Sequence, residues 1–390
     1  MKTYLLLLAL LVVVSCDQPG EITDKIFIDL SESVARSEDL SQEIDRIEFF
    51  QIESGTPIDK VDNIRMMDDK IIFLHKGGNY SSDVYGIIAI DESGKILWNY
   101  DKKGKGPGGF TNVFFMASLQ HRKQIAFYDH DIKKVNFLNS DGEFVRSFAV
   151  DQQFKLFTEL SNGQLVASFG KNSNRMTDEI ILKHDLVFLD EDGKISEKFL
   201  PNTHNLMMGF NFGETLLPGN KQNIYTNTMQ YTLFTITPEG VDSTWNLDFG
   251  EFNADTARYL HPKGQEDYLM MVESDEVLAF KAVHSEKHLW VLVPTDQALK
   301  LAVINKKNHS VYYYQKPEKR DFYYKGIPVP IFSLTQNADC FVYSLSALDA
   351  IEKWELLTAE EQSSSDPEWR EIMENLDPES NPIICKLYAK

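Results

Sequence analysis

A glycine turn recurs along this chain at a nearly constant interval, and this repeat constrains the fold more than any other feature. Apolar segments run into Asp- or Asn-rich turns that end at Gly94, Gly142, Gly193 and Gly240, and successive glycines lie 47 to 51 residues apart. A degenerate fifth copy ends at Asn308, 68 residues after Gly240. Asp, Asn and Gly tolerate the backbone of hairpin turns. Because repeats of about 40 to 50 residues in all-β sequence are typical of propeller blades, we predict a β-propeller.

The number of repeats predicts an all-β fold with six blades. Five units of four strands fit between about residues 60 and 316. The N- and C-terminal strands are predicted to close the last blade together, from residues 330–336, 340–346, 382–389 and, as the outer strand, 44–52. Closure of this kind removes the free edges of a sheet and ties the two ends of the chain together.

Two segments interrupt the strand pattern. Residues 254–272 and 348–376 carry apolar side chains at loosely helical spacing. We predict short helical insertions at both places; on a propeller face they would either define what that face admits or form a plain cap towards solvent.

The first residues have the order of a bacterial lipoprotein signal. Lys2 precedes an apolar run from Leu5 to Val14, which is shorter than the roughly 20 residues that a membrane-spanning helix needs. Val13-Val14-Ser15-Cys16 looks like a lipobox, so Cys16 is the predicted lipid anchor; the alternative is an ordinary secretory signal with a stray cysteine. We divide the chain into a signal peptide (1–15), a lipidated N-terminus and spacer (16–43) and the propeller (44–390).

The net charge of the chain limits the kinds of partner that it can bind. The chain has 59 acidic and 39 basic residues and a net charge of -20. Nucleic acid is therefore not an expected partner. Because an acidic surface repels anionic lipid headgroups, we expect membrane contact through the lipid anchor alone. We expect a location in the cell envelope, at the outer membrane, on a side that the sequence leaves open.

Cys340 and Cys385 lie in apolar runs and are predicted to be two buried thiols, with a single disulfide as the alternative.

The chain resembles the six-bladed β-propeller lipoproteins of Bacteroidetes, a family related to NHL-repeat proteins. The resemblance is carried by the lipobox at Cys16, the loop Lys103–Phe110, the run Val272–Phe280 and the ending Asn381–Tyr388. It implies the propeller fold and an envelope location, and no particular reaction. The family pattern has Arg at position 105 and Glu at position 109, where this chain has Lys and Gly.

One loop of this resemblance is a candidate binding motif, formed by Gly104, Lys105, Gly106, Pro107 and Gly108. Small residues could turn backbone N–H groups towards an anion, but the P-loop pattern is absent and no strand leads directly into a helix. We favour a tight crossing between two blades, in which glycines adopt positive φ and proline fixes the turn.

No metal site or catalytic motif follows from the sequence. His284 and His288 are four residues apart, but the flanking segments read as paired strands, so we predict a hairpin tip and not a zinc helix. The Asp-rich turns lack the spacing of calcium loops. No cofactor is predicted, although carboxylates converging in the central channel could hold one Ca²⁺.

Three functions remain open at this point. The first is a binding protein whose propeller face holds a peptide, a glycan or an envelope partner. The alternative is an enzyme, a metal-assisted hydrolase or lyase with its site at the channel mouth. A third is a structural subunit with an apolar exposed patch. Aromatic runs at 312–314 and 322–324 could stack on sugars, but we favour a packing role for them. Fold alone does not choose among these functions.

Overall fold

In the computed structural model of the protein, six sheets of four or five strands form a propeller. The structure describes residues 25–31, 37, 39–77, 83–150, 154–169, 184–201, 215–217, 223–227, 230–255, 275–278, 280–295, 299–316, 321–337 and 340–390.

Blades 1 to 3 follow one another along the chain, each with its strands in sequence order from the channel to the rim. Blade 1 contains β3 (Lys60–Met67), β4 (Lys70–Lys76), β5 (Val84–Ile90) and β6 (Ile96–Tyr100). Blade 2 contains β7 (Val113–Leu119), β8 (Gln124–Asp129), β9 (Lys134–Asn139) and β10 (Phe144–Ala149). Blade 3 contains β11 (Leu156–Glu159), β12 (Leu165–Ser168), β13 (His184–Leu189) and β14 (Ile195–Pro201).

Blades 4 to 6 include strands from both ends of the chain. Blade 4 contains β15 (Thr215–Leu217), β16 (Asn223–Asn227), β17 (Gln230–Thr237) and β18 (Gly240–Asp248), with β1 (Lys25–Phe27) as a fifth strand. Blade 5 contains β19 (Lys281–His284), β20 (His288–Pro294), β21 (Leu299–Asn305) and β22 (Val311–Lys316). Blade 6 contains β25 (Thr335–Gln336), β26 (Phe341–Leu345), β27 (Ile383–Ala389) and β2 (Ile44–Gln51).

Blade 6 confirms the predicted closure of the ring. Ile44–Gln51 pairs antiparallel with Ile383–Ala389, which pairs in turn with Phe341–Leu345. The inner strands contact one another around the channel: β3 contacts β7 and β25, β11 contacts β7 and β15, and β15 contacts β19. The sequence prediction of an all-β, six-bladed propeller is therefore confirmed.

The recurrent turn glycines join neighbouring blades as well as neighbouring strands. Gly142 has φ +77°, and a Cβ there would lie 2.5 Å from the Trp98 ring on the outer strand of blade 1. Gly193 has φ +81° and lies against Phe148 on the outer strand of blade 2 in the same way. A side chain would be strained at both positions and would also collide with the preceding blade, which explains why glycine marks the repeat.

The N-terminal segment corrects the predicted spacer. Lys25–Phe27 pairs in parallel with the outer strand of blade 4. Ile26, Ile28 and Leu30 are buried, and the buried Lys300 ammonium donates to the carbonyl of Leu30 over 2.7 Å. The described residues of 25–43, which we call the N-terminal strap, therefore belong to the folded body, whereas a spacer reaching to residue 43 and a propeller starting at 44 had been expected.

The strap continues along the rim to blade 6. Ser37 forms a parallel bridge with Tyr314 on the outer strand of blade 5. The Tyr314 hydroxyl donates over 2.6 Å to the buried Glu43 carboxylate, directly before β2 begins. The strap thus covers sheet edges that would otherwise present unpaired backbone groups. Residues 1–24, with the signal peptide and Cys16, lie outside the described residues.

The insertion predicted at 348–376 is confirmed as three helices between β26 and β27. These are α1 (Ala347–Glu355), α2 (Ala359–Ser364) and α3 (Pro367–Asn375). Trp369 is fully buried and stacks on Phe49, with ring centroids 5.3 Å apart. Lys353 pairs with Asp321 over 2.5 Å, beside the hairpin of β23 (Phe322–Tyr324) and β24 (Ile327–Val329).

The insertion predicted at 254–272 falls outside the described residues from 256 onward. Cys340 and Cys385 are both buried free thiols. Single-turn 3-10 helices occupy Gly250–Phe252 and Ile331–Ser333. Within the described ranges, no helix has the length and apolar character needed to cross a bilayer.

Candidate functional site

A pocket of about 450 Å³ opens at the junction of blades 1 and 2. It is lined by the start of β5, by the crossover from β6 to β7, and by the turn between β8 and β9. Because the strands of a blade alternate in direction, these three segments emerge on the same side of the ring, which we call the crossover face. The turn glycines lie on the opposite face.

The blade 1 side of the pocket consists of Asp83, Val84 and Tyr85. Tyr85 is 46% exposed, and the ring of His75 meets it edge-on with centroids 5.1 Å apart. Burial lowers the pKa of His75, with Asp59 opposing the shift, so the imidazole is neutral at neutral pH and packs against the tyrosine without a charge.

Lys103 supplies the cationic group of the pocket. Its ammonium donates to the carbonyl of Val84 and lies 4.6 Å from the centre of the Phe110 ring. Burial lowers the pKa of Lys103, while the carboxylates of Asp83 and Asp129 raise it. The lysine is thus held against the wall of the pocket by the protein itself.

Asp129, at the end of β8, organises the blade 2 side. Its side chain is fully buried. One oxygen, Oδ2, accepts from the backbone N–H groups of Thr111 and Asn112. The other, Oδ1, accepts from the N–H groups of Asp131 and Ile132 over 3.1 and 3.3 Å. One carboxylate therefore fixes two loops of the crossover face relative to each other, an arrangement typical of charge-assisted hydrogen bonds.

The remaining polar groups project from those two loops. Asn112 Nδ2 donates to Asp131 Oδ1 over 3.3 Å, and the N–H of His130 donates to the Asn112 carbonyl over 3.1 Å. The side chain of Asp131 is 55% exposed. Together with Thr111, which also lines the pocket, these residues offer both hydrogen-bond donors and acceptors to a ligand.

The candidate loop Gly104–Gly108 lies beside this pocket and forms the crossing between blades 1 and 2. The N–H of Gly104 donates to the Phe110 carbonyl over 2.8 Å, and the Tyr100 hydroxyl donates to the Gly108 carbonyl over 2.6 Å. Gly104 and Gly108 have φ of +115° and +72°. The loop positions Lys103 on one side and Thr111 on the other, so its neighbours line the pocket and the glycines themselves do not.

The two histidines that resemble a zinc motif lie at a hairpin turn in blade 5. His284 ends β19 and His288 begins β20. Lys306 Nζ lies 3.2 Å from His284 Nδ1, and burial, helped by this lysine, lowers the pKa of His284 to about 3. Among the residues that the structure describes, no group of three or more His, Cys, Asp or Glu side chains is arranged to hold a metal ion.

Sequence reasoning found the loop but missed the pocket. Tyr85, Asn112 and Asp131 were not singled out as site residues, and Lys103 entered only as the first residue of the loop Lys103–Phe110. The aromatic run 322–324 is buried in the core, in agreement with the packing role. The signal that sequence offered for the pocket was the density of polar residues in two segments that a propeller brings to the same face.

Comparison with known proteins supports the fold. The family DUF4934, a domain of unknown function, matches residues 25–388. A protein from Bacteroides fragilis that is described as exported aligns over 94% of this chain and 99% of its own, with 15% identity and a TM-score of 0.71. A member of the DUF4221 family from Bacteroides vulgatus aligns over 89% and 97%, with 12% identity and a TM-score of 0.53. These likenesses show a shared fold.

Two further comparisons give no functional argument. A streptogramin B lyase aligns over 90% of this chain and 100% of its own, with 12% identity and a TM-score of 0.41, which is too low to bear on activity. A search of curated proteins gives no match to this sequence.

Proposed function

The chain belongs to the DUF4934 family, and on that premise we propose that it is an exported, lipid-anchored binding protein of the cell envelope. Its ligand site is the pocket on the crossover face between blades 1 and 2, which we call the blade 1–2 pocket. The described residues give no specific support to the hydrolase or lyase alternative, so the proposal is confined to binding.

The blade 1–2 pocket is the observation that carries this proposal. Its volume of about 450 Å³ lies within the range of about 300 to 1,000 Å³ that is usual for small-molecule sites. Its polar groups are fixed before any ligand arrives, because Asp129 binds both loops and Lys103 is held by Val84. Preorganised polar groups bind a ligand with less ordering cost than mobile ones.

The anchor and the location rest on other support. The lipobox that ends at Cys16 predicts diacylglycerol attachment and outer-membrane residence. A similar structure comes from a protein described as exported. A peptide, a glycan or an envelope partner would then reach the pocket outside the cytoplasm.

The test uses fluorine NMR on the full chain labelled with 3-fluorotyrosine. Tyr85 reports on the pocket, and Tyr312, which is 52% exposed on the outer strand of blade 5, is a matched control. Substitutions of each tyrosine by phenylalanine assign the two signals. The probes are a tryptic digest of envelope proteins and a mixture of oligosaccharides released from cell-surface polysaccharide.

A shift of the Tyr85 signal without a shift of the Tyr312 signal, with either probe, supports the proposed site. If neither mixture moves the Tyr85 signal, or if both signals move together, the pocket is not a specific binding site and the proposal fails.

A further inference from the structure

Beyond the existence of the site, we infer that the blade 1–2 pocket takes a neutral oligosaccharide. This inference rests on the proposed function and adds the chemical class of the ligand. It follows from two exposed aromatic rings beside the pocket, from the mixture of donors and acceptors in its lining, and from the balance of its charges.

Two large aromatic side chains are exposed next to the pocket. Tyr85 is 46% exposed and lines the pocket. Phe114 is 50% exposed and lies two positions after Asn112, a lining residue. The ring of Phe114 lies 5.7 Å from that of His130, the residue before Asp131. Each ring presents an apolar face at which a ligand can stack.

Each of these rings is held in place by a histidine. His75 contacts Tyr85 edge-on at an interplanar angle of 84°, and His130 contacts Phe114 at 42°. A ring fixed in this way loses little conformational freedom when a ligand stacks on it. The C–H face of a sugar ring is apolar and flat enough to pack on such a surface, whereas its edge is lined with hydroxyl groups.

The polar groups of the pocket lining match those hydroxyl groups. The half-exposed Asp131 carboxylate accepts hydrogen bonds, and the Thr111 hydroxyl, which donates its hydrogen to Asp129, can accept one. The Asn112 amide carries one donor pair and one acceptor. A sugar hydroxyl also donates and accepts, so it can satisfy these groups together, which a ligand with only donors or only acceptors cannot.

The charges of the pocket favour a neutral ligand over an anionic one. Asp83 and Asp131 outnumber the Lys103 ammonium, which lies beside Val84 on the same side as Asp83, so the pocket would repel an anion. Since Lys103 is already bound to the Val84 carbonyl and stacked on Phe110, its charge stays in the pocket. An uncharged polyol meets neither this repulsion nor the loss of hydration that an ion bears on entering a pocket.

The decisive experiment is an array of immobilised neutral oligosaccharides probed with the full chain. We expect retention on a subset of the array, and a loss of about ten-fold for Tyr85→Ala and for Phe114→Ala, because one aromatic stacking contact has about that effect on affinity. Tyr312→Ala, an equally exposed tyrosine on blade 5, should leave retention unchanged. Circular dichroism checks that each variant is folded.

Salt and a competing probe distinguish this inference from the proposed function. Retention of a neutral sugar should be the same at about 50 mM and about 500 mM salt, since screening acts only between charges. If no oligosaccharide is retained, or if retention is insensitive to both aromatic substitutions, the inference is overturned. A Tyr85 fluorine shift caused by the peptide digest alone would also overturn it, while the proposed binding site would stand.

Discussion

Replacing Asp129 by asparagine should destabilise the propeller through the loss of one hydrogen-bond acceptor. Oδ1 accepts from Asp131 and Ile132, and Oδ2 accepts from Thr111 and Asn112. Whichever oxygen becomes an NH₂ group, two backbone N–H groups lose their acceptor and face a donor. Each unsatisfied donor costs about 1 to 3 kcal/mol. Because Thr111 and Asn112 are half-buried and partly within reach of water, we expect a loss of about 2 to 4 kcal/mol.

The matched control is Asp190→Asn at a hairpin turn of blade 3. There a single oxygen, Asp190 Oδ1, accepts from the N–H groups of both Asp192 and Lys194, over 2.9 and 2.8 Å. The equivalent turn of blade 2 carries Asn139, which forms the same two bonds through its own Oδ1. The control should therefore change stability by no more than about 0.5 kcal/mol.

Urea unfolding of the three proteins, followed by tryptophan fluorescence, gives both differences from the midpoints and slopes. A loss below about 1 kcal/mol for Asp129→Asn, or a loss equal to that of Asp190→Asn, would show that the carboxylate is not what joins the two loops.

Three further predictions concern other parts of the molecule. Cys16→Ser should abolish incorporation of labelled palmitate and move the protein from the membrane to the soluble fraction; an unchanged distribution would refute the anchor. Trp369→Ala should cost about 3 to 5 kcal/mol in urea unfolding, because the fully buried ring that stacks on Phe49 is removed; a small loss would mean that the helices are not docked there. Burial and the nearby Lys306 lower the pKa of His284 to about 3 from an ordinary 6.5. The unfolded chain therefore binds a proton that the folded chain does not, and this part of the stability is lost as the pH falls from about 6.5 towards 3. His284→Asn should give a smaller drop in urea midpoint between about pH 7 and about pH 4.5, and an equal drop would contradict the assignment.

The architecture could be predicted because its determinants are local and repeated. Gly142 and Gly193 mark turns that a short stretch of sequence specifies, and their spacing alone gives the blade length. The closure of blade 6 followed from counting strands. The strap was missed even though Ile26, Ile28 and Leu30 recur at every second position, the period of a half-buried strand. Its short length and acidic surroundings outweighed that signal.

The candidate site was harder to predict because its residues meet only in three dimensions. Asp83 and Asp131 are 48 residues apart and share a pocket only because blades 1 and 2 are adjacent. The role of Asp129 depends on hydrogen bonds to a loop 17 and 18 positions earlier in the chain. A repeat period predicts which loops share a face, but not which side chains turn towards one another.

The N-terminal strap also limits how the molecule can stand on a membrane. Eight residues separate Cys16 from Lys25, and a chain of that length spans at most about 30 Å when fully extended. With a lipid on Cys16, the segment that links the lipid to the propeller would end at the rim of blade 4, where Lys25 pairs with the outer strand. In a ring of six, blade 4 is diametrically opposite blade 1. The propeller would therefore be attached to the membrane at the rim of blade 4, and the blade 1–2 pocket would lie on the opposite half of the ring. A ligand too large to enter the space between protein and bilayer could still reach the pocket there.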